Sequence, residues 1–363
     1  RLTDVTGVQT CALPIYGLRF NCTVFVPPQY KTNKKFPLLL LLPGAEDSGI
    51  QPLHCWLEAA REQGILLAVC EPPWPNGWSG TEAERSVPLA MLRKMLQTYS
   101  IDSDLVFLVG HSDGGHCAWE ASTFFPDRFA GAITTSSAPA AQNLCYLPNL
   151  FSLSFYSAVG VKDEPELARN LRWAVSEIKQ SGGKIIYQEY PKQGHSLMLQ
   201  KEARSIARWI TSKKRNLYPS KIDFYLSHTR HGRHYWVEVL ETQGDVCEPG
   251  KTVKIKDRKE ENLVGRIARA TRANIARVAA GVSGNKIDIQ TTRVKRLIVY
   301  FSPKMCNFSE KVSIWIDKEK RYHDYVKFQP GTMLDNIRET GDRQCLFYSS
   351  MEFLLPEKKI RKE

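Results

Sequence analysis

A serine framed by two glycines is the part of this sequence best suited to chemistry. Leu105 to His116 reads LVFLVGHSDGGH, and Gly110 and Gly114 bracket Ser112 in a G-x-S-x-G pattern. Serine is a poor nucleophile until a base takes its proton, so the pattern has meaning only with a histidine and a carboxylate to accompany it. Both follow downstream. Asp163 lies three residues past the apolar run that ends at Gly160, and His195 lies in the turn QGHS after the run that ends at Tyr190. The order Ser112, Asp163, His195 is the chain order of a nucleophile-elbow triad. In such a triad His195 acts as general base, worth about 10² to 10⁴ in rate, while Asp163 holds its tautomer and stabilises the imidazolium. The backbone N–H groups of Ala45 and Asp113 are the candidates for an oxyanion hole.

Other residues near these positions have plainer readings. Asp163 can also serve as a helix N-terminal charge ahead of Pro165, with Glu164 and Glu166 as competitors for the acid role. His111 and His116 flank the nucleophile and read as structural. Trp74 and Trp78, in EPPWPNGWSG, fit either a wall of the substrate cleft or the packing of their loop on a sheet.

The elements that must hold these residues are legible as apolar runs. Leu105 to Val109 reads as a strand buried on both faces, and the frame around Ser112 as a sharp strand-to-helix turn that only glycines clear. Ahead of it come an edge strand at Phe20 to Val26, a central strand at Phe36 to Leu42, a helix from Pro52 to Gln63 and a strand at Ile65 to Cys70. Thr81 and Glu84 have capping-box spacing, and Leu89, Leu92, Leu96 and Tyr99 make one apolar helical face. After Ser112 strands and helices alternate. The helix Gly114 to Phe125 and strands at 130–136 and 154–160 lead to a helix from Pro165 to Gln180, a strand at 184–190 and a helix at 201–210. Such alternation makes a mostly parallel sheet covered on both faces, with chemistry at the carboxyl ends of its strands.

The two ends of the chain read differently. Val5 to Ile15, VTGVQTCALPI, matches the translation of a common sequencing adapter, so residues 1–16 are set aside as an artefact and natural sequence starts near Gly17. Nothing about compartment follows from such a start. The catalytic domain is expected over 17–211, a basic linker over 212–220, and a second domain over 221–363. That last stretch offers short alternating runs at 222–226, 235–240, 286–290, 296–301, 312–316, 325–328 and 345–354, separated by GVSGN, SPKMCN and QPG, which suggests a β-sandwich-like domain. Arg266 to Ala280 reads equally as a helix or a strand pair.

Composition excludes several classes. No apolar run approaches the roughly 18 residues of a membrane span. Apart from Cys11 the cysteines are widely spaced with no C-x-x-C pair, which argues against structural zinc and leaves disulfides open. The net charge of +12 is concentrated late: from Leu217 onward 28 Lys and Arg face 19 Asp and Glu, a surplus of 9. These cations are dispersed among acids and lack an aromatic stacking pattern, so nucleic acid is not an expected partner.

Gly17 to about Ile210 resembles the α/β-hydrolase superfamily, specifically the branch without a large cap. That branch includes dienelactone-hydrolase-like, feruloyl-esterase-like and polyhydroxybutyrate-depolymerase-like esterases and the prolyl-oligopeptidase-type catalytic domains. VPPQY before FPLLLLLPG, then YSIDSDLVFLVGHSDGGH, FPDRFA, GVKDEPE and QGH carry the likeness. It implies an α/β fold with Ser112 as nucleophile, Asp163 as acid, His195 as base, and Ala45 with Asp113 as oxyanion donors. Pro43 departs from the pattern, since many relatives have histidine before the glycine. The tail resembles a β-rich extension found on such hydrolases in some bacterial lineages. The expected activity is cleavage of small or polymer-borne carboxylic esters through an acyl-enzyme, with no metal or cofactor. The alternatives are a peptidase of the same fold and a catalytically silent polymer- or surface-binding protein. Oligomeric state stays open.

Overall fold

The computed structural model describes residues 8–15, 18–45, 51–71, 78, 82–196, 199–247 and 263–357. Trp74 and Thr81 lie outside the described residues. The chain separates into two compact units, Arg1–Ala140 with Leu153–Arg215, and Ala141–Ser152 with Asn216–Glu363.

The first unit is built on one eight-stranded sheet. In chain order its elements are β1 (Val8–Ile15), β2 (Leu18–Phe25), β3 (Phe36–Leu42), α1 (Gln51–Gln63), β4 (Leu66–Cys70), α2 (Glu82–Thr98), β5 (Ile101–His111), α3 (Ser112–Phe124), β6 (Gly131–Thr135), β7 (Ser154–Gly160), α4 (Pro165–Gln180), β8 (Lys184–Tyr190) and α5 (Ala203–Thr211). The strands lie in the order β1-β2-β4-β3-β5-β6-β7-β8. From β4 to β8 every pairing is parallel, while β1 and β2 are antiparallel additions at one side.

Sequence dictates which strands are central. Every residue of β4 is buried, and so are all residues of β3 except Pro37, because both strands are covered on two faces and carry only apolar side chains there. The helices bury one stripe each. In α5, Ala203, Ile206, Ala207 and Ile210 are buried at helical spacing, and in α4 Ala168, Leu171, Ala174, Val175 and Ile178 do the same. Pro165 stands at the first position of α4, where its missing N–H has no helical acceptor to lose.

Two expectations at the margins are corrected. The strand expected at the sheet edge, β2, lies one place in, because β1 pairs with it along its whole length. An extended run beside an open edge finds unpaired N–H and C=O groups there, and that pairing asks little of side-chain identity. Arg215, in the stretch read as a linker, is instead an anchor of the first unit. Its buried guanidinium bonds Asp104 Oδ1 at 2.9 and 3.1 Å, and the Asp127 carbonyl at 3.1 Å.

The second unit holds β9 (Lys221–Leu226), β10 (Arg233–His234), β11 (Val237–Thr242), α6 (Leu263–Ala273), β12 (Ala276–Ser283), β13 (Lys286–Thr292), β14 (Val294–Phe301), β15 (Val312–Ile316), β16 (Glu319–Asp324), α7 (Pro330–Thr340) and β17 (Ser349–Leu354). Two sheets form, β10-β11-β14-β17 and β16-β15-β13-β12-β9. Their inward residues, among them Phe224, Val239, Ile287, Val299 and Ile314, share one core, as a sandwich requires. Strand β13 shows the alternation plainly, with Ile287, Ile289 and Thr291 buried and their neighbours exposed.

Arg266 to Ala280 divides into the end of α6 and the start of β12. The strand expected at 325–328 is displaced to Glu319–Asp324, and Tyr325 and Phe328 are exposed. An outer strand with both faces largely open needs no apolar alternation, so β16 carries none. The segment 141–152, expected in the catalytic domain, belongs to this second unit. A 3-10 run at Ala141–Leu150 lies along β9, where the Asn149 side chain donates to the Tyr225 carbonyl at 3.0 Å and accepts from the Tyr225 N–H at 2.8 Å. One amide side chain thus meets both backbone groups of an edge-strand residue, as a neighbouring strand would.

Candidate active site

The nucleophile position is created by the join of β5 to α3. Ser112 has φ of +50°, a left-handed conformation that a residue with a Cβ adopts only where its surroundings enforce it. The glycines on either side are required by close approach rather than by φ. A Cβ at Gly114 would collide with the backbone of Leu42 and Pro43 at the end of β3, and one at Gly110 with the backbone of Gly114 and Gly115. Helix and strands therefore meet backbone to backbone, and Ser112 stands at the tip of the turn.

Three side chains from separate strand ends come together there. Ser112 Oγ and His195 Nε2 are 2.8 Å apart, and His195 Nδ1 lies 3.0 Å from Asp163 Oδ1. With Nδ1 protonated, His195 donates to Asp163 and accepts from the Ser112 hydroxyl. The His195 side chain is 54% exposed and that of Asp163 only 1%, so the relay runs from a face open to substrate down to a sequestered charge. Backbone bonds lock the two loops that carry them. Val161 N–H donates to the Tyr190 carbonyl at 2.9 Å, Lys162 N–H to the Gln193 carbonyl at 2.9 Å, and Asp163 N–H closes its own turn on Gly160 at 3.0 Å.

Burial alone would raise the Asp163 pKa. The Glu164 N–H at 2.8 Å, the bond from His195 and the approach of the Ser136 hydroxyl outweigh it and hold the carboxyl below its ordinary value. Asp163 is thus an anion at neutral pH, and Glu164 contributes its backbone rather than its carboxylate. Such an arrangement can draw a proton from Ser112 and return it to a leaving group.

The other expected positions are also placed. Ala45 follows β3 in an exposed turn, and Asp113 occupies the first turn of α3, where backbone N–H groups have no helical acceptor. Trp78 is buried and its indole N–H donates to the Pro43 carbonyl at 2.9 Å, so it holds the loop between β3 and Ala45. His111 Nδ1 lies 2.9 Å from Thr135 Oγ1, its ring centroid 5.5 Å from that of His195, and His116 Nδ1 lies 2.5 Å from the Ala138 carbonyl. Both histidines are fixed by residues at or just past the end of β6, beside the relay but outside it. Sequence reasoning passed over the polar run at the end of that strand, Thr134 to Ser137. Its place at the carboxyl end of a buried parallel strand was the available signal. Among the described residues no three His, Cys, Asp or Glu side chains gather as metal ligands. No helix among them is long and apolar enough to cross a membrane.

Strand order, antiparallel entry, elbow and the chain order of the relay agree on one architecture. The fold of the first unit is that of the α/β-hydrolases. Neither a family model nor a curated protein matches the sequence. Among solved structures the chain is similar to a thermostable esterase, with 18% identity over 58% of this chain and 64% of that one, at a TM-score of 0.48. It is similar also to an S-formylglutathione hydrolase from Agrobacterium tumefaciens, with 17% identity over 58% and 97% of the two chains and a TM-score of 0.48. A dipeptidyl peptidase 4 from Porphyromonas gingivalis shares 13% identity over 57% and 35%, with a TM-score of 0.49. This chain thus spans less than two thirds of the esterase and about a third of the peptidase.

Proposed function

We propose that this protein is a serine hydrolase that cleaves carboxylic esters through an acyl-enzyme. The observation that carries the reading is the continuous bond path from a strained Ser112 through an exposed His195 to a buried, ionised Asp163.

In the first half-reaction His195 Nε2 takes the Ser112 proton as Oγ attacks the ester carbonyl carbon. The oxyanion that forms is met by the N–H groups of Asp113 and Ala45, each worth about 10² to 10³ in rate at sites of this kind. Collapse breaks the carbon–oxygen bond to the alcohol, which leaves with the proton held on Nε2. Water then attacks the acyl-enzyme with His195 again as base, releasing the acid and restoring Ser112. Asp163 stays ionised throughout and balances the transient imidazolium. Esters suit an open site of this kind because an alcohol leaves more readily than an amine.

Steady-state turnover of short-chain p-nitrophenyl esters, set beside aminoacyl p-nitroanilides, tests the reading. Ester turnover that vanishes in Ser112→Ala supports it. Turnover of the anilides alone would make the enzyme a peptidase, and turnover of neither by folded protein would leave a binding role.

A further inference from the structure

Two sequestered oxygens beside the relay lack partners. Among the described residues neither Asp163 Oδ2 nor Ser136 Oγ has a hydrogen-bond partner in standard geometry, although both atoms are shut off from solvent and the Ser136 hydroxyl approaches the Asp163 carboxylate. A buried carboxylate oxygen and a buried hydroxyl are complementary, one an acceptor only and the other carrying a freely rotating donor. They also belong to adjacent strands. Ser136 directly follows β6, and its N–H donates at 3.0 Å to the Ala158 carbonyl of β7, the strand whose following turn carries Asp163.

The backbone of Ser136 is unusual in the same way as that of Ser112. Its φ is +48°, and a residue with a Cβ pays for that conformation unless the surroundings impose it. The same left-handed backbone thus occurs at the nucleophile position and at the residue that follows β6.

We propose that Ser136 is a positioning residue for the relay, its hydroxyl donating to Asp163 Oδ2 so that Oδ1 is kept facing His195 Nδ1. The proposal rests on the reading of Ser112, His195 and Asp163 as a catalytic triad. Asp163 Oδ1 is already fixed by the Glu164 N–H and by His195, so a donor on Oδ2 removes the carboxylate's remaining rotation about its own axis. Ser136 Oγ makes no hydrogen bond to the nucleophile Ser112.

Two variants test this. Ser136→Ala removes the hydroxyl and keeps the strained φ, whereas Ser136→Gly removes the hydroxyl at a backbone conformation that glycine adopts without strain. The first readout is the downfield Nδ1 proton of His195 in protein labelled with ¹⁵N-histidine, assigned by its absence from His195→Gln. The second is kcat and KM on p-nitrophenyl acetate. Both variants are expected to move the His195 resonance upfield and to lower kcat roughly 10-fold with KM unchanged. In an Asp163→Asn background Ser136→Gly is expected to have no further effect. A drop in kcat that tracks a drop in the thermal unfolding midpoint, with the His195 resonance unmoved, would mark a merely structural role and overturn the inference. An unmoved resonance and a kcat within about 2-fold of wild type in both variants would overturn the inference while leaving the hydrolase reading intact. A resonance that moves in a wild-type background without ester turnover would count against the hydrolase reading and in favour of Ser136. Absence of the resonance from wild type would overturn both.

Discussion

At the scale of single residues the account rests on Asp163. Its side chain is buried, it accepts from His195 and from the Glu164 N–H, and its pKa is held down despite burial. Replacing the carboxylate by an amide leaves the shape but offers His195 Nδ1 a donor or a neutral acceptor. Asp163→Asn is expected to lower kcat by about 10³ to 10⁴, the size seen where a triad histidine is left in the wrong tautomer. The same carboxylate links stability to pH. A group whose folded pKa is depressed contributes stability that is fully present above its unfolded value, about 3.9, and is lost as pH falls through the folded pKa. Urea midpoints of wild type and Asp163→Asn should therefore differ by a constant amount above about pH 5 and converge on further acidification. A gap that widens at low pH would contradict the assignment of Asp163 as an ion stabilised by its partners.

At the scale of elements, the loop after β3 matters most. The Trp78 indole N–H bonds the Pro43 carbonyl in a buried setting, two residues ahead of Ala45. Trp78→Phe strands that carbonyl, with an expected loss of about 1 to 3 kcal/mol in denaturant unfolding. It should also lower kcat more than it raises KM, because an oxyanion donor acts on the transition state and not on the bound ester. The elements that position the site were legible because their signals are local. The apolar run FPLLLLL, the glycines around Ser112 and the strand ends at Gly160 and Tyr190 each declare themselves within a few residues. What stayed hidden depends on distant partners. Trp78 reads equally as cleft wall or packing until its partner Pro43 is known. Ser136 resembles any strand-end serine until its φ and the buried Asp163 oxygen are seen together. Strand β16 has no pattern to find, since its register is set by pairing with β15 and not by burial of its own side chains.

At the scale of the whole molecule the division of the chain differs from a reading by composition. SKKRNLYPS carries the charge of a linker, yet Arg215 within it is the residue that closes the first unit, its guanidinium 2% exposed and bonded to Asp104 and the Asp127 carbonyl. Arg215→Ala leaves Asp104 and that carbonyl without their cation, and is expected to cost about 2 to 4 kcal/mol of stability. Thermal unfolding of the two proteins at equal concentration checks this, and an unchanged midpoint would make 212–215 a linker after all. The same lesson holds for 141–152, whose short polar and apolar residues give no sign in sequence that Asn149 meets the backbone of Tyr225, 76 positions later.

The central claim is that Ser112 is acylated. Pre-steady-state hydrolysis of p-nitrophenyl acetate by the full chain, followed at millisecond resolution beside Ser112→Ala, reads it directly. The account predicts a burst of about one nitrophenolate per protein molecule in wild type, a slower steady state, and no burst in the variant. The acetyl group trapped by acid quench should map to the peptide that carries Ser112. A folded wild type that turns over with no burst and no acetylated serine, or a burst that survives in Ser112→Ala, would contradict it.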